Sequence, residues 1–290
     1  DALSVLGLAR EVAAVTGSPV RWPSLELAEG GRPVAERLAI EVQDPDLCPR
    51  IVGRWVSGVT IGPSPDRVQM RLLAAGMRPV SNVVDASNYV MLEMGKPIHT
   101  FDAAAVHGGR IVVRRAVAGE RIETLDHIER VLAPDTLLIA DPRGPLAIAG
   151  VMGSAASEIS GGTTDVIVES AVFDPVSIRR TAQRYALRSE ASLRFEKGQE
   201  LRLARIGAAV TDVFQGGCGE HGAVLRNNAH TLAKITQGHF VYRHAIEADV
   251  AFLGIIKPQQ QLQDGAFACA AGTDQGHRFA RTDVQAEILE

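Results

Sequence analysis

Aromatic residues make up only 4% of this 290-residue sequence, so a core must be built mainly from Ala, Val, Leu and Ile. Cysteine is scarcer still: Cys48, Cys218 and Cys269 are widely separated, odd in number and in no CxxC pair. That argues against a disulfide framework and a zinc site, and fits a reducing compartment. No apolar run approaches the ~20 residues needed to span a bilayer. The N-terminus lacks the basic-then-apolar pattern of a signal segment. The expectation is a cytoplasmic protein without a membrane partner. Positive charge is not in excess either: the formal net charge is −4. A chain that wraps nucleic acid by bulk electrostatics is therefore disfavoured, although a local Arg patch could still meet phosphate. GxxxxGK[ST], GxGxxG and HExxH patterns are missing, which leaves a nucleotide or zinc site without support. No Ser-His-Asp or Cys-His spacing stands out.

What remains is ordinary globular material, 46% hydrophobic and 22% charged, long enough for one large or two modest domains. The chain opens on Asp1 and reads as a fragment or a trimmed chain. Leu3, Leu6, Leu8, Val12 and Val15 roughly follow a helical period that Gly17 can end. Such a helix has no core of its own, so residues 1–22 read as the end of a preceding domain. Pro23, Gly30, Gly31 and Pro33 mark residues 23–36 as a linker.

Residues 37–218 read as the main domain. Leu38–Val42, Ile51–Ile61, Ile111–Arg115, Ile122–Leu125, Arg130–Leu132, Leu137–Ala140 and Val166–Ser170 are short aliphatic runs bounded by turns, the pattern of strands. Ser64-Pro65-Asp66 predicts a helix start, with Ser64 as N-cap and Gly76 as the left-handed stop. Asp174-Pro175 predicts a second, through Ile178, Ala182 and Tyr185. Strands with a few helices and no regular alternation give the fold class α+β.

Composition shifts after about Gly216. Five of the eight His lie there, as do the run Gln259-Gln260-Gln261 and Pro258, the only Pro beyond Pro175. A strand at Val250–Ile256 is the one element suggested. Residues 219–290 stay unassigned: a divergent domain, or a sequence artefact such as a shifted reading frame that need not fold.

Four segments in order carry a family resemblance: Arg78-Pro79-Val80-Ser81-Asn82-Val83-Val84-Asp85-Ala86-Ser87-Asn88-Tyr89-Val90 running on to Gly95-Lys96-Pro97-Ile98-His99-Thr100-Phe101-Asp102; Leu146-Ala147-Ile148-Ala149-Gly150-Val151-Met152-Gly153; Val166-Ile167-Val168-Glu169-Ser170-Ala171-Val172-Phe173-Asp174-Pro175; and Leu187-Arg188-Ser189-Glu190-Ala191-Ser192-Leu193-Arg194-Phe195-Glu196-Lys197-Gly198. Together they resemble the B3/B4 editing domain of the bacterial phenylalanyl-tRNA synthetase β subunit. The resemblance covers roughly residues 1–218. It departs at His127 in a usual Leu-Asp-Gly turn, at Ser154 for Gly, and at Gln199-Glu200 for Val-Asp.

The resemblance implies a hydrolase that removes tyrosine wrongly attached to tRNA(Phe), a second sieve for an analogue that differs from Phe by one hydroxyl. The implied partners are a synthetase α subunit and tRNA(Phe), not DNA. The domain itself is expected to use no metal or cofactor; ATP and Mg2+ belong to the complete synthetase.

Glu169 is implied to accept the phenol's hydrogen bond, and a carboxylate in an apolar strand does need a partner. A strand-end Glu facing solvent is the alternative. His99 is implied to line the pocket near the scissile ester, placing water or acting as base, against a structural loop His. Ser87 and Asn88 are implied wall residues, or else a polar turn before Tyr89. The backbones at Gly150 and Gly153 are implied to approach the substrate, or to form a tight turn. Ser189 and Ala191 are carried over as small residues near the amino acid, although Ala191 could be packing. Arg78 could meet the terminal adenosine or phosphate, or sit at a helix end. Arg179, Arg180, Arg184, Arg188 and Arg194 form the most basic stretch, either a solvated face or a phosphate patch. Against the editing hydrolase stand two other readings, a non-catalytic scaffold or tRNA-binding module and a free-standing deacylase.

Overall fold

A computed structural model describes residues 2–20 and 33–216. The first helix, α1 (Val5–Thr16), starts where Ser4 Oγ accepts from Gly7 N and ends on Gly17 at φ 72°. Twelve residues are marginal as an isolated helix. It is held by docking: Leu6 clusters with Val90 and Met94 of the third helix, and Leu203 and Ile206 of the last helix pack against that cluster.

Then follow β1 (Ala39–Val42), β2 (Arg50–Ser57), α2 (Asp66–Ala74), α3 (Asn82–Met94), β3 (His99–Asp102) and β4 (Arg110–Arg115). After these come β5 (Arg121–Glu123), β6 (Glu129–Val131), β7 (Leu137–Ala140), β8 (Pro145–Ile148), β9 (Met152–Gly153) and β10 (Asp165–Val172). Three helices close the described chain: α4 (Pro175–Arg184), α5 (Glu190–Phe195) and α6 (Leu201–Gly216). The strands form a five-stranded sheet in the order β1-β4-β7-β8-β9, a three-stranded sheet β2-β10-β3, and a β5-β6 ribbon. Among the described strands only β1-β4 pairs in parallel. The fold is α+β, as expected.

Successive side chains of a strand alternate between faces, and β10 uses both. Ile167 and Ala171 join Phe101, Leu38, Ile111, Val113, Leu138 and Ile148 in the cluster between the two sheets. Val166 and Val168 point the other way, onto Val83 of α3. The second sheet therefore covers one face of the small sheet and helices cover the other. The core is mainly aliphatic, as the composition required, with Tyr89, Phe101, Phe173 and Phe195 as its buried aromatics among the described residues.

One local expectation changes, and two of the alternatives weighed above are removed. Ser64 does not cap α2; Pro65 holds the cap position without a side-chain bond. The Ser64 hydroxyl instead donates to Asp85 Oδ2 at 2.6 Å, and Val80 N donates to Oδ1 at 2.8 Å. Asp85 is fully buried, and satisfying a buried carboxylate outweighs one helix cap. The segment holding Ser87 and Asn88 is no turn but the middle of α3, between the Ser81 N-cap and Gly95 at φ 73°. His99 begins a strand and does not sit in a loop. Of the linker, residues 23–32 lie outside the described residues and Val34–Glu36 forms one 3-10 turn. The tail from 219 and its suggested strand also lie outside them.

Candidate functional site

Glu169 occupies the central strand of the small sheet. Directly across from it stand Gly53 on β2 and His99 on β3. Cross-strand partners share a face, so all three lie on the side turned to the five-stranded sheet. Gly53 makes the close cover possible: a Cβ there would lie 2.6 Å from Ile40 Cδ1 and 2.8 Å from Leu38 Cδ2. Those side chains fill the space over Gly53, the residue that pairs with Glu169. Glu169 keeps 6% of its surface exposed, and its carboxylate accepts no hydrogen bond from the described residues. Burial raises its pKa to about 7, against an opposing pull from Lys96.

Lys96 is the larger surprise, because it is 0% exposed. Its stem runs beside Gly207 of α6, where a Cβ would meet Lys96 Cγ at 2.8 Å. Its Nζ donates to the Ala171 carbonyl and lies 5.0 Å from the centre of the Phe195 ring. Burial lowers the ammonium to about 7, while Glu169 and then Cys48 pull it back up. Cys48 is buried too, and burial holds its thiol at about 12. A neutral S–H donating to the Arg50 carbonyl at 3.6 Å is inert as a nucleophile.

His99 is half-buried, and burial depresses its imidazole to about 4. The ring sits edge-on to Phe101 at 4.5 Å between centres. Gly153 is pressed against it, since a Cβ there would lie 2.6 Å from His99 Cε1 and 2.8 Å from Nε2. Glu169, His99 and Gly153, far apart in sequence, are thus brought to one place. Gly150 faces elsewhere. It turns at φ +66°, and a Cβ would meet Ile178, Phe173 and Phe195.

Ser189 ties this loop to a helix. It caps α5 by accepting from Ser192 N at 3.0 Å, and its hydroxyl donates to Val151 O at 2.8 Å. Ala191 packs on the main core.

Residues 47–215, more than half of the chain, match the sequence profile of the B3/4 domain. The chain belongs to the B3/4 domain family. It is 54% identical over 201 residues to the phenylalanine–tRNA ligase beta subunit of Moorella thermoacetica, covering 69% of this chain and 25% of that protein. The subunit of the same name from Anaeromyxobacter dehalogenans is 54% identical over 200 residues, 69% of this chain and 25% of the relative. This chain therefore spans about a quarter of the length of these relatives. A fragment of the phenylalanyl-tRNA synthetase beta-subunit from Pyrococcus horikoshii is a looser likeness. It has a TM-score of 0.39 and 15% identity over 65% of this chain and 57% of that one.

Within this B3/4 domain the other predicted residues are placed as follows. Ser87 is buried on α3 and spends its hydroxyl on Val84 O at 2.7 Å. Asn88, one position on, is half-buried. Neither is joined to Glu169 or His99 by a hydrogen bond. Arg78 is exposed just beyond the end of α2, where Gly76 turns at φ +78°. The basic stretch divides. Arg194 is buried, bonded to Glu190 and to Leu3 O, and Arg184 pairs with Asp135. Arg188 approaches Glu196 at 3.9 Å. Arg179 and Arg180 are left as exposed cations on α4, so a patch of five does not form.

Two residues beside Glu169 escaped the sequence reading. A Gly inside a strand run is a recognised sign of close approach, and Gly53 carried it. Lys96 gave no sign, because lysine is almost never fully buried. Among the described residues no His/Cys/Asp/Glu group is arranged to hold a metal, and no helix is long and apolar enough to cross a membrane.

Proposed function

We propose that this B3/4 domain is the editing site of a phenylalanine–tRNA ligase β subunit, hydrolysing the ester of tyrosine misattached to tRNA(Phe). Ligation would fall to a partner α subunit using ATP and Mg2+. One observation carries the reading: a buried carboxylate with no described donor stands directly across a strand pair from a half-buried imidazole. An acceptor left open in an apolar wall favours a ligand that brings a donor. The Tyr phenol does so, and Phe does not.

The discrimination follows from the cost of an unmet acceptor, roughly 1–3 kcal/mol, which corresponds to about 5- to 150-fold. His99 is held neutral at physiological pH, which makes it a weak base. Its part is to orient water toward the ester carbonyl through a ring nitrogen. An aminoacyl ester is already activated, so positioning supplies most of what is needed. Gly153 fixes the imidazole by contact, and Ser189 fixes the turn at Val151 that leads into β9 and Gly153.

The test is deacylation of Tyr-tRNA(Phe) and Phe-tRNA(Phe) by the full chain. The parent should cleave the first in preference. Glu169→Gln should reduce that preference by roughly tenfold or more, and His99→Ala should slow cleavage. If neither ester is cleaved while Phe-tRNA(Phe) still binds, the domain is a tRNA-binding scaffold. Undiminished hydrolysis by the His99 variant removes the role given to the imidazole.

A further inference from the structure

We infer that Lys96 is a specificity-determining positioning residue: charge on its buried amine draws Glu169 toward the ionised, acceptor-only form and so sharpens the preference for a ring hydroxyl. This rests on the editing reading above and adds to it a residue.

Geometry carries the argument. A fully buried ammonium needs a nearby anion. Two acidic groups act on Lys96, Glu169 and Cys48, and the Cys48 thiol is neutral. Glu169 is therefore the counter-charge. An ordinary structural pair would close to contact and fill the carboxylate's lone pairs. Lys96 does not: no N···O contact with Glu169 falls within the 4.0 Å of an ion pair. Its donor goes to the backbone of Ala171, two residues along β10, and its other flank is the Phe195 ring. The charge is balanced while the acceptor stays open.

The surroundings add little competing charge. His99 across the strand is neutral, and β1 contributes Leu38 and Ile40 beside Gly53. From α5 comes Phe195, its neighbour Arg194 being paired with Glu190; from α6 comes Gly207. A protonated Glu169 would be both donor and acceptor and would tolerate ring ethers as well as phenols. To the extent that Lys96 draws it to the ionised form, it accepts only a hydroxyl donor and treats a methoxy ring like Phe.

The experiment uses the full chain, its Lys96→Met variant, and Glu169→Gln to assign the signal. The carboxylic-acid C=O band of Glu169 is followed by infrared spectroscopy against pH, without tRNA. In parallel, Tyr-, O-methyl-tyrosyl- and Phe-tRNA(Phe) are deacylated across the same pH range. Lys96→Met should shift the Glu169 titration upward. It should cut the Tyr/Phe ratio roughly tenfold at neutral pH and recover that ratio as pH rises.

An unchanged titration in Lys96→Met, or a ratio that falls equally at every pH, overturns the proposal. Cleavage of the O-methyl ester by the parent as readily as the tyrosyl ester also overturns it. Should Lys96→Met not fold, Lys96→Gln retains a donor for Ala171. Should that fail too, the parent decides: its Tyr/Phe ratio must rise with ionisation of Glu169. If the parent cleaves no ester, editing itself fails, and the infrared titration still decides whether Lys96 governs Glu169.

Discussion

At single positions, the site depends on side chains that are not there. Gly153 and Gly150 lie three residues apart and make opposite predictions. Gly153→Ala drives a methyl into the His99 ring at 2.6 Å, and the imidazole must move. Tyr-tRNA(Phe) deacylation should fall about tenfold or more, since small misplacements of a positioning group are costly, while thermal melting changes little. Gly150→Ala strains a φ of +66° and meets Phe173 and Ile178 at 2.9 Å. Its effect should be a stability loss of about 2–4 kcal/mol by denaturant unfolding, with activity of the folded fraction retained. His127 is the converse case. It holds a left-handed φ of 58° where a glycine would be unstrained, and its Nδ1 meets Glu123 in an exposed contact at 3.1 Å. Such contacts contribute little. His127→Gly should therefore raise stability by roughly 0.5–1 kcal/mol, read as an increased Tm.

Among the elements, short pieces are secured by bonds between them. α5 has six residues, too few to persist alone. It is held by the reciprocal Ser189–Ser192 cap and by the bond from Ser189 to Val151. Ser189→Ala removes the half of the cap that Ser189 Oγ accepts and the bond to Val151, at a cost of about 1–2 kcal/mol. Amide exchange should then accelerate at Val151 and Met152 before it does in β10. α4 was legible because Asp174 and Pro175 form a start signal that needs only local bonds, and Asp174 does accept from Ser177 N at 2.7 Å. α3 was not. Its buried Val83, Ala86, Val90 and Met94 keep helical spacing. The Ser87-Asn88 pair between them also suits a turn, and only packing against α1, α6 and the small sheet decides for helix. Ser64 shows the same competition, with a distant carboxylate drawing away a hydroxyl suited to a local cap.

Across the whole molecule, the buried Glu169 and Lys96 make stability depend on pH. Glu169 is raised from 4.5 to about 7, so its contribution is full below pH 4.5 and is lost as pH rises through 7. Lys96 is lowered from 10.5 to about 7, so its contribution is full above pH 10.5 and is lost as pH falls through 7. Both act against the fold near neutrality. The double variant Lys96→Met/Glu169→Gln should therefore gain most over the parent near pH 7, and less at pH 5 and pH 9, in urea titrations. Lys96→Met alone should gain less than the double variant at pH 7, because Glu169 then loses the charge that opposes its burial. The sequence by itself determined the aliphatic core, the start of α4, the run of β10 and the motif that pointed to Glu169 and His99. These follow from local propensity, periodicity and the order of residues. Only the tertiary structure decided that Glu169 faces inward opposite His99, with Lys96 behind it and Gly53 beside it. Strand register and the cover of a second sheet come from residues far apart in the chain, and a slip of one residue would turn that carboxylate to the other face.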